Sequence, residues 1–262
     1  MPKSNLVVFA GLLAAAALLA GCNAAPTQRV AAVTTIDKAD VPQYKALLAH
    51  ARPQLADDFK DRHISNYCLY LGAKEKDPQQ YYILRYFEYN GQDLHRDLME
   101  IDAQQQEFSW RRQMDALQKP LPGLPDTGDW TLWPEVFFTE GATAKTKKPQ
   151  RFGSIIGLKS QPEKVIAYTQ LHAACWPGVL AAIEKANLRH YAIFMGNTAP
   201  DQRMLFGYFE YVGDNFAQDM KNIGNDKITQ VWWTYTDPLQ NPFPSRAQGE
   251  HWTTVKPLLH LD

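Results

Sequence analysis

The 262-residue sequence predicts an α+β protein made of two copies of one small module, and three observations carry that prediction. The chain repeats itself at a nearly constant offset. Each repeat alternates strand-like and helix-like stretches, and an antiparallel sheet with helices on one face needs its other face covered. The repeat is plainest at Tyr86-Phe87-Glu88-Tyr89 followed by Gly91, echoed by Tyr208-Phe209-Glu210-Tyr211 followed by Gly213, an offset of 122 (208 minus 86). The same offset pairs Asp97 with Asp219, Ile101 with Ile223, Trp110 with Trp232 and Leu117-Gln118 with Leu239-Gln240. It also pairs Pro120 with Pro242 and Pro122 with Pro244. Upstream, an offset of 124 (168 minus 44) pairs Tyr44 with Tyr168, Pro53 with Pro177 and Tyr67 with Tyr191. The two-residue difference falls between Tyr67 and Tyr86, where a hairpin turn absorbs it.

The second copy shows the layout most clearly. Arg151 to Leu158 reads as a strand, and Gln161 to Ala186 carries a helical pattern that opens near Pro162. His190 to Met195 and Met204 to Tyr211 are aromatic-rich strands joined by a turn around Gly196-Asn197 and Pro200-Asp201. Gly213 to Gly224 is a second helix, with a further helical stretch from Asp226 to Tyr235. His251 to Leu261 closes the module as a strand, where Pro257 favours an edge or a bulge. The order β-α-β-β-α-β is ferredoxin-like. Two such modules, residues 29–139 and 151–262, can cover each other sheet to sheet, giving an intramolecular pseudo-dimer like a dimeric α+β barrel. Residues 140–150, with Lys145, Lys147 and Lys148, read as an exposed linker.

Residues 1–21 read as a lipoprotein signal peptide. Lys3 precedes an apolar run from Leu6 to Leu19, and Leu19-Ala20-Gly21-Cys22 resembles a lipobox. The run is too short for a spanning helix, which needs roughly 18 to 20 apolar residues. Acylation of Cys22 would hold the chain at a membrane surface through a tether of residues 22–28, and Asn23 fits an outer-membrane or periplasm-facing bacterial lipoprotein. Cys68 and Cys175 remain as two free, buried thiols, and neither has a metal-ligand spacing with a His. A formal net charge of -1 and a pI near 6.7 give no argument for a nucleic-acid partner.

The constellation with chemical content lies in the second copy. Tyr168, His172 and Trp176 share a helix face at i, i+4 and i+8, with Pro177 directly after to kink the chain. Tyr191 follows on the next strand, and Trp232-Trp233 follows the second helix. The stretch Tyr168-x3-His172-x3-Trp176-Pro177, then His190-Tyr191-Ala192-Ile193, Trp232-Trp233 and Asn241-Pro242, resembles the L-rhamnose mutarotase family over essentially all of residues 151–262. The resemblance implies a ferredoxin-like fold and a sugar ligand, with no metal or cofactor. It implies His172 as acid/base and Tyr168, Tyr191, Trp232 and Trp233 as substrate-binding residues. Mutarotation takes a proton from the anomeric hydroxyl and gives one to the ring oxygen, and a His suits both transfers near neutral pH. The repeated Tyr-Phe-Glu-Tyr segments, with Glu88 and Glu210, and the histidines at 251 and 260 read as structural.

The first copy departs at the decisive places: Leu48 matches His172, Arg52 matches Trp176 and Arg111 matches Trp233, while Tyr44, Tyr67 and Trp110 remain. Leu cannot transfer a proton. His50 lies roughly 200° around the helix from Leu48 and does not replace it. The first copy therefore reads as a non-catalytic partner module or a pocket with changed ligand preference. The expected function is a cofactor-independent mutarotase for L-rhamnose or a related deoxysugar. A sugar- or glycan-binding lipoprotein without turnover is the alternative, and haem or oxygen chemistry on a similar barrel is a third class.

Overall fold

The computed structural model describes residues 26–75, 77–124, 130–143 and 148–262. The first copy runs β1 (Gln28–Asp37), α1 (Val41–Asp61), β2 (Ile64–Ala73), β3 (Gln80–Tyr89), α2 (Leu94–Gln105) and α3 (Ser109–Leu117), then short strands β4 (Gln118–Lys119) and β5 (Thr131–Trp133). After β6 (Glu135–Gly141) the pattern restarts with β7 (Gln150–Leu158), α4 (Pro162–Ala173), α5 (Pro177–Lys185), β8 (Leu188–Ala199) and β9 (Gln202–Tyr211). It continues through α6 (Phe216–Asn225), α7 (Lys227–Thr236), β10 (Gln240–Asn241), β11 (Thr253–Thr254) and β12 (Lys256–Leu261). Two tandem ferredoxin-like α+β modules result. The turn from β2 to β3 spans residues 74–79 and that from β8 to β9 only 200–201, so the change of repeat offset does fall in a hairpin.

All strand pairs are antiparallel, in the orders β12-β2-β3-β1-β4 and β10-β7-β9-β8-β6, with β5 also on β1 and β11 also on β7. The closing strand is where the structure corrects the sequence reading. Only Thr253–Thr254 of the His251–Leu261 stretch stays in its own sheet, against β7. The rest, β12, crosses to pair with β2 of the first copy, and β6 crosses the other way to pair with β8. The reason is edge protection: β2 and β8 would otherwise end their sheets with unpaired N–H and C=O groups, and each is capped by a strand from the other copy. Pro257 sits beside a register shift on that edge strand, where its missing N–H is harmless.

Strand alternation divides the protein into three cores. Along β3, Tyr82, Leu84 and Tyr86 face the opposite sheet, while Ile83, Phe87 and Tyr89 face the helices of their own copy. Along β9, Met204, Phe206 and Tyr208 meet them across the interface, and Leu205 and Tyr211 turn to α4 through α7. The repeated Tyr-x-Gly motif has a local cause. Tyr89 donates to Asp97 at 2.5 Å and Tyr211 to Asp219 at 2.8 Å. A Cβ on Gly91 or Gly213 would lie 2.2 or 2.4 Å from the phenol oxygen, so only glycine lets the loop close over the ring.

At the pseudo-twofold centre, Tyr86 and Tyr208 stack at 3.7 Å. Glu88 and Glu210 line up behind them. Glu210, 1% exposed, meets Arg189 at 2.7 Å and Arg151 at 3.4 Å, while Asn66 donates to both glutamates. His190 stands 3.3 Å from Glu88, whose hydrogen bond holds its pKa above the ordinary value against the effect of burial. Asn66 and His190 occupy matching bulges (190 minus 66 is 124) with φ of 50° and 46°. The two glutamates are thus structural.

The single helical pattern expected over Gln161–Ala186 is two helices. Trp176 is extended (φ −65°, ψ 136°) because the following Pro177 disfavours helical backbone before it, and Pro177 then opens α5. In the first copy Pro53 stays inside an unbroken α1. Cys68 and Cys175 are both free, the first buried and the second half-buried. The segment expected to be a signal peptide (residues 1–21), Cys22, Lys145 and Lys147 lie outside the described residues. Among the described residues no helix is long and apolar enough to cross a membrane.

The strand exchange makes a specific prediction. Leu259 on β12 belongs to the core of the first copy, so Leu259→Ala should destabilise by about 2–5 kcal/mol. Native-state hydrogen exchange should show protection lost first in β2, with β8 amides unaffected. Loss in β8 instead would contradict the exchange.

Candidate active site

All five residues expected to form the site, Tyr168, His172, Tyr191, Trp232 and Trp233, line one cavity of about 300 Å³. Tyr168 and His172 lie one turn apart on α4, which ends at Ala173 because of the break before Pro177, so His172 sits in its last turn. Tyr191 comes from β8, directly after the bulge, and Trp232 and Trp233 from α7, whose start is capped by Asp226 accepting from the Thr229 N–H at 2.8 Å. Trp233 is half exposed at the mouth. Trp176 does not line the cavity; it braces the wall, packing edge-on against Trp232 at 5.3 Å.

His172 is held by rings on three sides. Tyr168 stacks on it at 4.1 Å, while Trp232 and Phe137 meet it edge-on at 5.5 and 5.6 Å. Phe137 also meets Tyr191 at 5.6 Å. It stands on β6, the strand supplied by the first copy, so the exchange builds part of the site wall. His172 Nδ1 lies 3.0 Å from the Tyr168 carbonyl oxygen. A carbonyl only accepts, so Nδ1 carries the proton and Nε2 keeps its lone pair in the neutral ring. Burial depresses the imidazole to about 4, outweighing the carbonyl hydrogen bond that favours the charged form. At neutral pH the ring is therefore a base with no competing partner at Nε2 among the described residues.

The two tyrosines are complementary to that base. Burial pushes Tyr191 up to about 12 and Tyr168 well above its ordinary value, so both remain protonated donors. The Tyr168 hydroxyl is buried beside the Gln240 side chain, but no hydrogen bond of good geometry forms. In the first copy the matching Tyr44 hydroxyl is satisfied by Gln118 Nε2 at 2.9 Å. Its counterpart Gln240 is turned to His251, whose Nε2 lies 2.6 Å from Gln240 Oε1. Leaving a buried hydroxyl unpaired costs about 1–3 kcal/mol, which a ligand oxygen can recover.

Sequence reasoning missed Asp237, Gln240, His251 and Trp252 in the lining, and Phe137 packed behind it. His251, read as structural, reaches Asp237 at 3.4 Å on the cavity rim. Burial raises the Asp237 carboxyl, with His251 opposing. The repeat did hold one signal, since Trp130 and Trp252 share the offset of 122 (252 minus 130). Among the described residues no group of three or more His, Cys, Asp or Glu is placed to hold a metal ion.

A tandem pair of ferredoxin-like modules carrying an aromatic, His-containing cavity defines the class as a dimeric α+β barrel-like pseudo-dimer, and comparison with known proteins narrows it. The L-rhamnose mutarotase family profile matches residues 29–139 and again 151–261, and the chain belongs to that family. An L-rhamnose mutarotase of Bacteroides thetaiotaomicron is 29% identical over 80 residues, covering 30% of this chain and 71% of that protein. One from Paraburkholderia phytofirmans is 25% identical over 95 residues, covering 36% and 81%. Among solved structures, a Lactobacillus acidophilus protein provisionally named a monooxygenase aligns over 89% of this chain and 95% of its own, with a TM-score of 0.49 and 8% identity.

The depressed His172 sets a pH dependence. An unfolded His titrates near 6.5 and the folded one near 4, so between these values the unfolded chain binds more protons and stability falls as pH falls. The loss should reach about 3 kcal/mol from pH 7 to pH 4. His172→Gln should remove it. Urea unfolding of both proteins across this range checks the difference, in which the titration of His190 cancels; equal pH slopes would overturn the assignment.

Proposed function

We propose that the second copy interconverts the α and β anomers of L-rhamnose or a related deoxysugar without a cofactor. The observation that carries this reading is the pairing of a neutral His172, with Nε2 free, and an unpartnered, protonated Tyr168 hydroxyl on one small cavity. His172 Nε2 takes the proton from the anomeric hydroxyl. The O1 electrons form the carbonyl as the C1–O5 bond breaks, and O5 receives a proton from the Tyr168 or Tyr191 hydroxyl. Rotation about C1–C2 turns the other carbonyl face to O5, and the same transfers in reverse close the ring. No proton is gained or lost overall. Trp232 and Trp233 supply apolar walls for the sugar face and its methyl group. Family membership supports the substrate class, and export behind a lipid on Cys22 is the cellular setting we infer for it from the leader sequence.

Saturation-transfer NMR between the anomers of L-rhamnose tests the reading. Exchange above the buffer rate is expected, with His172→Ala lowering it by about 10²–10⁴ and Tyr168→Phe by about tenfold. The rate should be flat near neutral pH and fall through a midpoint near 4 as His172 is protonated. L-Rhamnose binding without exchange, in a protein whose fold is intact, would leave the sugar-binding lipoprotein as the better description. Palmitate labelling of intact cells should mark the wild type and not Cys22→Ser.

A further inference from the structure

We propose that the first copy holds a second ligand site, selective for a monosaccharide carrying one carboxylate, a uronic acid. The cavity lies where the second copy has its own, between α1, the sheet and α3, and measures about 190 Å³. It keeps the aromatic walls Tyr44, Tyr67, Trp110 and Trp130, and replaces the proton-transferring His by Leu48. It also gains two cations, Arg85 and Arg111. The sugar part of this inference rests on reading the second copy as a sugar site.

Arg85 is the residue that sets the chemistry. Its counterpart in the second copy is Gly207 (207 minus 85 is 122), where a Cβ would already lie 3.2 Å from the ring of Trp252. In the first copy the guanidinium instead lies over Trp130, 4.3 Å from the ring centre, and 5.7 Å from that of Phe87. Its Nε is buried with no hydrogen-bond partner. Its polar neighbour is the neutral Tyr67 phenol, and no carboxylate forms an ion pair with it among the described residues. Stacking and a phenol do not neutralise a charge, and a half-buried cation whose Nε is shut off from water without a counter-charge is unfavourable. A carboxylate entering the cavity would supply both the charge and the bidentate acceptor that a guanidinium fork fits.

The count of charges selects one negative charge on the ligand. Arg111 is already matched, by Asp115 at 3.1 Å and Asp102 at 2.7 Å. Asp102 is 56% exposed and balances little inside the cavity. One guanidinium therefore remains, which fits a carboxylate better than a phosphate dianion. Four aromatic rings around it fit the C–H faces of a pyranose better than a bare small acid. With Leu48 in place of His172, the site binds without mutarotation.

Isothermal titration of the purified protein with sodium D-galacturonate and D-glucuronate, against D-galactose, D-glucose and acetate, tests the proposal. At least one uronate should bind at least tenfold more tightly than its neutral parent sugar and than acetate. Arg85→Met, which keeps the aliphatic stem, should weaken uronate binding at least tenfold, while His172→Ala should leave it unchanged. Without ligand, Arg85→Met should raise Tm, because an unpaired, half-buried charge is removed. Neutral sugar or acetate binding as well as uronate, uronate binding lost in His172→Ala but kept in Arg85→Met, a lowered Tm in Arg85→Met, or no uronate binding would each overturn it. Anomer exchange of L-rhamnose in Arg85→Met reports separately on the second copy, so failure of one reading is distinguishable from failure of the other.

Discussion

The burial of one sheet against the other is the constraint on which the rest of this structure depends. Each module carries its helices on one face only, leaving a face of Tyr, Phe, Leu and Met side chains that water would meet if the copies separated. Among the described residues, buried side chains drawn from both copies make that shared core. Apolar burial is non-directional, so it does not by itself fix the angle between the sheets. The polar centre supplies direction: Asn66 of the first copy has to donate to Glu210 and accept from Arg151 and Tyr208, and His190 of the second has to reach Glu88. A rotated or shifted pairing would leave these buried polar groups without their partners across the interface, which costs more than losing a few apolar contacts. The same residues explain why Tyr-Phe-Glu-Tyr recurs. Its first Tyr stacks across the twofold, its Phe and last Tyr pack under the helices in the first copy, and its Glu joins the network.

Strand exchange then ties the interface to the site. Because β6 leaves its own sheet to pair with β8, Phe137 reaches the backs of both His172 and Tyr191. The apolar shell that keeps His172 neutral is therefore built by both copies, although every polar group in the cavity belongs to the second. The first copy is thus no passive remnant: without its strand one side of the imidazole would face water, and the desolvation that holds the ring near 4 would weaken.

Much of this was legible in the sequence, for identifiable reasons. Strand and helix assignments followed from period-2 and period-3.6 patterns, which report burial directly. That the five candidate residues share one cavity was legible because a helix places i and i+4 on one face and the family motif places the others. The exchange of β12 and β6 was not legible, because Lys256–Leu261 has the same alternation whichever sheet it joins; edge pairing is decided by partners far along the chain. Phe137 and Arg85 were missed for the same reason, since each acts in a site through a strand whose local pattern is ordinary. His251 carried no local signal, and only folding brings it to Asp237 and Gln240.

The two cavities show how little sequence change separates two electrostatic outcomes on one scaffold. In the second copy Gly207 leaves room beside Trp252, and the base in the site is an imidazole that burial renders neutral. In the first copy a side chain grows from that glycine position, and burial cannot neutralise it: a guanidinium titrates so far above neutral pH that even a lowered pKa leaves it charged. A buried His answers desolvation by losing its proton, whereas a buried Arg answers it only by finding an anion. Duplication lets both answers exist in one molecule, because the sheet interface they share is indifferent to which group fills the far side of each sheet.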